Sequence, residues 1–171
     1  MNVILSTEEI LLLTVLDKEI DEKWIDWALE MLSNGIETDN MYILAGEKVP
    51  MNQFEAKKLI EKIFDELKID YTNKDKIIKN FVGYLIQKVN KNEIDKFEML
   101  NKIYLLYLEL DRINYLQDFY LLYLAKCDFN IHNQEISFYW NIEDTNRGVL
   151  KKDIDNEILK YFEMWRRKYC E

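Results

Sequence analysis

Residues 21–35 read DEKWIDWALEMLSNG, and they carry the clearest helix signature in the chain. Asp21 is of a type that caps helix N-termini, and the pair Asn34-Gly35 is a common C-terminal signal. Between these ends, apolar residues recur at a spacing that places them along one side of a helix: Trp24, Trp27, Ala28, Met31 and Leu32. The stretch therefore predicts a helix from about residue 22 to residue 33 whose tryptophans face a core.

The rest of the chain contains few residues that interrupt helices. It has one proline and four glycines in 171 residues, whereas 49% of its residues are apolar. Helical spacing of apolar residues recurs elsewhere, which predicts further helices over about residues 8–16, 41–45, 53–67, 74–89 and 156–169. Within these helices we expect Phe54 and Leu159 to face inward.

A pentapeptide, YLLYL, occurs twice, at 104–108 and at 120–124. One helix across both copies would exceed the usual length, so we expect two core helices separated near residues 111–114. Residues 129–150 show the weakest pattern, and a short β-hairpin and an irregular segment both fit the sequence there. Together these features predict an all-α fold, with one compact domain of seven or eight helices over residues 1–171.

The composition argues against several classes of protein. No long stretch is free of charged residues, so we expect no membrane-spanning helix. The first residues, MNVILSTEEILLL, lack the basic start of a secretory signal. The two cysteines, Cys127 and Cys170, form neither a metal-binding nor a disulfide pattern. We therefore expect a cytoplasmic protein with free thiols.

Motifs that carry catalysis or bind cofactors are scarce. The single histidine, His132, lies in a polar stretch with no nucleophile or orienting partner visible by motif, and there is no glycine-rich phosphate loop. The carboxylate pairs Glu66–Asp70 and Asp153–Glu157 have i,i+4 spacing, which keeps a metal-dependent enzyme open as a second alternative. Our expectation is no enzymatic activity, no metal and no cofactor.

Negative charge is concentrated at the start of the chain. The first 48 residues hold 11 acidic and three basic residues, whereas the remaining 123 hold 21 acidic and 20 basic residues. Four of the early acids are spaced three, four and four apart: Glu19, Glu22, Asp26 and Glu30. On one helix they would form a row opposite Trp24 and Met31. Two interpretations fit this row: a solvated face, or a surface that attracts a basic partner.

Three short segments resemble one family of small bacterial proteins. They are WALEMLSNG at 27–35, LAGE at 44–47 and NQFE at 52–55, which combine a Trp-Ala helix ending in glycine, a Leu-Ala-Gly turn and an Asn-x-x-Glu helix start. Over residues 24–67 the chain is similar to immunity proteins encoded beside polymorphic or contact-dependent toxins. The resemblance implies a non-enzymatic inhibitor, often acidic, that blocks a basic toxin domain in the cytosol of the producing cell.

We therefore predict an immunity protein that binds and neutralises a toxin domain, expected to be a basic nuclease. The predicted contacts are early acids and two aromatic anchors: Glu19, Glu22, Asp26, Glu30, Glu37, Asp39, Tyr42 and Trp140. The first alternative is a helical scaffold or regulatory subunit that binds a partner through an apolar groove near the YLLYL segments, with weak dependence on salt. The net charge of −9 disfavours binding to nucleic acid, and no binding to membranes is expected.

Overall fold

The computed structural model describes residues 3–131 and 147–169, and every regular element in these residues is a helix. The α-helices are α1 Thr7–Val15, α2 Glu22–Ser33, α3 Asp39–Ala45, α4 Gln53–Leu67, α5 Lys74–Asn90, α6 Lys96–Glu109, α7 Gln117–Ile131 and α8 Arg147–Tyr169. The all-α prediction is confirmed for these residues. The chain divides into two compact units, Met1–Phe81 and Val82–Glu171, and the prediction of a single domain stays a prediction.

Helices α2 and α4 begin and end at the residues that the sequence indicates, whereas α1 is shifted by one residue and α3 begins at Asp39 instead of residue 41. The side chains of Asp21, Thr38 and Asn52 each accept a hydrogen bond from a backbone N–H in the first turn of α2, α3 and α4. After α2, Gly35 adopts a left-handed conformation (φ +74°), and the N–H of Ile36 then donates to a carbonyl in the last turn of the helix at 3.0 Å. These local hydrogen bonds explain why the predicted bounds of α2 and α4 are confirmed.

The core of the first unit brings the apolar sides of α1 to α4 together. Inside it, the indole Nε1 of Trp27 donates to Oγ1 of Thr7 at 3.1 Å. The side chain of Gln53 bonds both the N–H and the carbonyl of Ile20, at 2.8 and 2.9 Å, which ties the segment before α2 to the start of α4. The largest fully buried side chains of this unit include Trp24, Met31, Met41, Leu44, Ile63 and Phe64.

Tyrosine stacking joins the two YLLYL segments in the second unit. The first copy lies in α6 and the second in α7, so the predicted break between two helices is confirmed, with a 3-10 helix at Asn114–Leu116 before α7. The ring of Tyr104 lies 4.6 Å from that of Tyr123, and Tyr107 lies 4.9 Å from Tyr120, measured between centroids. These tyrosines therefore serve the packing of α6 on α7.

The sequence prediction is wrong about the start of the last helix and about the burial of Phe54 and Leu159. The last helix begins at Arg147 rather than near residue 156, and it runs through Gly148. The side chains of Phe54 and Leu159 are exposed, although helical spacing predicted them inside. Residues 129–131 and 147–150 are helical, while 132–146, including His132, lie outside the described residues.

None of the described helices has the length and the apolar run needed to cross a membrane.

Candidate partner-binding surface

Helix α2 separates a buried face from a charged face. Its buried residues are Trp24, Trp27, Ala28 and Met31, which lie at helical spacing on one side. Glu22, Asp26 and Glu30, spaced four apart, are all exposed on the other side. The structure thus brings together three of the four acids of the predicted row.

Glu19 does not belong to this row. Helix α2 begins at Glu22 after its cap Asp21, so Glu19 lies in the segment before the helix, where it is exposed. The prediction that all four acids share one helix is therefore wrong at its first member. We call the exposed set Glu22, Asp26 and Glu30 the acidic row.

An exposed leucine lies within the acidic row. Leu29 is 50% exposed and follows Asp26 by three residues and Glu22 by seven, so it is on the same side of α2. Leu29 was not among the residues predicted from the sequence, although its position on the polar face of the helix indicated exposure. Its side chain adds apolar contact area among the carboxylates, which a partner could cover.

The acidic row is not neutralised by neighbouring bases. Among the described residues, no lysine or arginine forms an ion pair with any of its three carboxylates. One carboxylate oxygen of Glu30 accepts a hydrogen bond from the hydroxyl of Ser6 at 2.7 Å, which holds this side chain beside the start of α1. The negative field of the row is therefore available to a cationic partner.

A second group of predicted residues lies at the start of α3. Asp39 is exposed in the first turn, and Tyr42 is 54% exposed. Partial burial and a hydrogen bond from its hydroxyl to the carboxylate of Glu37 both raise the pKa of Tyr42. The tyrosine therefore stays neutral beside an acid, and its role as an anchor stays a prediction. Trp140, the other predicted anchor, lies outside the described residues.

A small cavity of about 210 Å³ opens between α3 and α4, and we call it the α3–α4 notch. Its lining is apolar apart from two carboxylates and an amide: Ile43, Met51, Ala56 and Leu59, with Glu47, Glu55 and Asn52. Next to this lining in the sequence, Phe54 is 66% exposed, with Nζ of Lys58 lying 4.0 Å from its ring centroid. Apolar lining with acidic members suits an apolar side chain that has basic neighbours.

Carboxylate pairs do not form a metal centre in the described part of the chain. Helix α4 ends at Leu67, and Lys68 follows in a left-handed conformation, so Asp70 lies beyond the helix that holds Glu66 and the pair lacks the geometry of i,i+4 neighbours on one helix. Asn40 donates to the Glu66 carboxylate, and Thr72 donates to that of Asp70. Across the described residues, no group of three or more histidine, cysteine, aspartate or glutamate side chains is placed to hold a metal ion.

Comparison with known proteins adds no relative to this picture. No protein-family model, curated protein or solved structure matches the chain. The resemblance to immunity proteins over residues 24–67 therefore stays a prediction.

Proposed function

We propose that this chain is a non-enzymatic immunity protein that captures a basic toxin domain through the acidic row of α2. The observation that carries the proposal is the set of exposed carboxylates Glu22, Asp26 and Glu30, which form no ion pair within the described residues, around the half-exposed Leu29. Like charges four residues apart destabilise a helix by about 0.2–0.5 kcal/mol per pair. A helix that keeps them without a lysine partner is consistent with selection for a charged contact.

The acidic row and Leu29 contribute differently to binding. Exposed carboxylates act over distance, so they speed the encounter with a basic domain and weaken as salt rises. Leu29 contributes to binding only once the complex has formed, because its apolar surface is then removed from water. Glu37, Asp39 and Tyr42 extend the expected contact into α3, where the tyrosine supplies an amphipathic ring of a kind enriched in interface hot spots.

The α3–α4 notch adds a requirement on the partner. Its apolar lining suits the insertion of one apolar side chain, and Glu47 and Glu55 favour lysine or arginine beside that side chain. The proposed partner segment is therefore apolar at one position and basic on both flanks. A toxin domain that binds nucleic acid carries such basic residues, which is why we expect a nuclease.

Charge reversal on α2 tests the proposal directly. We expect Glu22→Lys with Asp26→Lys to slow association with the toxin domain encoded beside this gene by about 10- to 100-fold at low salt. The difference should shrink at high salt, because exposed charges are screened. Stopped-flow association at several salt concentrations measures both effects. A neighbouring gene whose product is not toxic would contradict the immunity assignment.

The matched control lies on α4. Glu61→Lys with Asp65→Lys makes the same charge change, at the same i,i+4 spacing, on another exposed helix of the first unit. If both double variants slow association equally, the effect is due to net charge and not to the acidic row. If neither slows it, the row is only a solvated face.

A scaffold function stays a second candidate because α6 also exposes leucines. Leu105 is on the surface and Leu108 follows it by three residues, also exposed, which gives an apolar strip on that helix. Leu29→Ala and Leu105→Ala remove similar side chains from the two candidate surfaces. We expect Leu29→Ala to raise the dissociation rate of the toxin domain about fivefold and Leu105→Ala to leave it unchanged. The reverse result favours the scaffold.

A further inference from the structure

Helix α6 of the second unit turns one side to solvent, and the exposed residues on that side form a continuous strip. Four of them follow one another by four, three and four positions: Glu98, Lys102, Leu105 and Glu109. This spacing places them along one line of the helix, away from the side that packs on α7. Leu108 lies beside this line, three residues after Leu105, and is also exposed. We call these five residues the α6 strip.

Two large apolar side chains occupy the middle of the α6 strip. Leu105 is 55% exposed and Leu108 is 42% exposed, so both keep apolar surface in water. A partner that covers them is favoured because this surface is then removed from water. Leucines alone fit many partners, so the charged residues on either side of them determine which partner is complementary.

The charged residues flank the leucines in an order that changes sign when it is read in reverse. From the amino end the order is acid, base, two leucines, acid and base: Glu98, Lys102, Leu105, Leu108, Glu109 and Arg112, the last being an exposed residue just after the helix. Two copies of this strip that run in opposite directions therefore bring each charge to one of opposite sign. Two copies that run in the same direction, in register, bring like charges together.

One two-fold axis satisfies the central pairings. Lys102 meets Glu109 of the second copy when the axis passes midway between residues 105 and 106. Leu105 meets Leu108 of the second copy when the axis passes one residue further along. These two positions differ by about 1.5 Å, the rise per residue of a helix, which long side chains can span.

The side chain of Lys102 is able to reach a carboxylate on a second copy. Within α6 its Nζ lies 3.3 Å from the carboxylate of Glu98, and the two side chains are 42% and 47% exposed. An ion pair this exposed is weak and solvated, so the ammonium can accept a second carboxylate without losing the first. Lys102 would then lie between an acid of its own helix and Glu109 of the second copy.

We propose that the chain forms an antiparallel dimer in which two α6 strips pack against each other around a two-fold axis. Such a contact uses the same surface on both copies, so each favourable pair occurs twice. A partner of unrelated sequence would not require a strip that is complementary to itself. One helix face per copy is small for a stable dimer, so we expect a dissociation constant of about 100 µM. The dimer is independent of the proposed capture of a toxin.

Charge exchange at Lys102 and Glu109 tests both the contact and its direction. Lys102→Glu and Glu109→Lys should each weaken dimerisation about tenfold, because each places like charges against each other twice in the dimer. The double variant Lys102→Glu with Glu109→Lys should dimerise like the wild type, because the exchanged charges again meet opposite signs. Sedimentation equilibrium at chain concentrations from about 10 µM to 1 mM measures the dissociation constants.

A mixture of the two single variants is the decisive control. In a mixed dimer one copy carries acids at positions 102 and 109 and the other carries lysines, so both cross-pairs are attractive. We expect the mixture to dimerise at least as tightly as the wild type, although each variant alone does not. The two variants change the net charge in opposite directions, so an effect of net charge alone would weaken one and strengthen the other.

The leucines are tested with a matched pair of variants. Leu105→Asp should weaken dimerisation at least tenfold, whereas Leu29→Asp, which changes a similarly exposed leucine of the first unit, should leave it unchanged. Thermal melts check that both variants stay folded. A wild-type chain that is monomeric at about 1 mM, a mixture that does not regain dimerisation, or equal effects of the two leucine variants would overturn the proposal.

Discussion

The buried hydroxyl of Thr7 gives a sharp test of how α1 is held against α2. Thr7 is 1% exposed, and its Oγ1 accepts the indole N–H of Trp27 at 3.1 Å. The Thr7 hydroxyl also donates a weak hydrogen bond to Sδ of Met31 at 3.9 Å. Thr7→Val keeps the branched shape and removes the acceptor, which leaves the Trp27 N–H buried and unpaired.

The magnitude follows from these contacts. An unpaired buried donor costs about 1–3 kcal/mol. Valine offsets part of this cost, because its methyl group replaces a hydroxyl that folding has to remove from water. We expect the free energy of unfolding to fall by about 1–2 kcal/mol. For a chain of this size that corresponds to a melting temperature lower by about 2–8 °C. Urea unfolding and a thermal melt measure the two quantities.

Thr14→Val is the internal control on the same helix. The Thr14 hydroxyl donates to the carbonyl of Ile10 at 2.9 Å, within α1, so its removal leaves no buried donor without a partner. We expect a change of less than about 0.5 kcal/mol. A double-mutant cycle of Thr7→Val with Trp27→Phe should return about 1 kcal/mol of coupling. Equal effects of the two threonine variants, or a coupling of zero, would refute the hydrogen-bond argument.

Three further predictions concern other parts of the fold. Burial raises the pKa of Glu8 despite a hydrogen bond from Asn80. The folded state therefore holds the carboxyl proton of Glu8 more tightly than the unfolded chain does. Stability should fall as pH rises above the ordinary carboxyl pKa of about 4.3. Glu8→Gln should therefore stabilise the protein at neutral pH, and its advantage should vanish in acid; pH-dependent urea unfolding measures this, and an advantage that persists in acid would contradict it. Asp155→Asn should lower the free energy of unfolding, measured in urea, by about 2–3 kcal/mol, because the buried ammonium of Lys126 loses the carboxylate whose Oδ1 lies 2.5 Å from its Nζ. A loss of less than about 1 kcal/mol would show that the ammonium finds another acceptor. Gly35→Ala should lower the free energy of unfolding by about 1 kcal/mol, and with it the melting temperature, because the positive φ at this position strains any side chain. No atom lies within 4 Å of the new Cβ, so strain is the only expected cause, and an unchanged melting temperature would contradict it.

Local signals account for what the sequence could predict. Helices α2 and α4 begin where Asp21 and Asn52 accept backbone hydrogen bonds, and such caps depend on a few neighbouring residues. The acidic row was predictable for the same reason, because the exposed side of a helix follows from its apolar side. Helix α8 shows the limit: Gly148 is a turn former by propensity, yet the helix runs through it.

Tertiary features were not accessible from the sequence. Phe54 has helical spacing with buried residues of α4, but it lies one residue inside the start of that helix, and its ring is left at the surface. The indole N–H of Trp24 is buried and has no acceptor among the described residues, which depends on the side chains of neighbouring elements that surround it. Spacing along one helix predicts which residues turn inward, but it does not predict whether a buried N–H will find an acceptor.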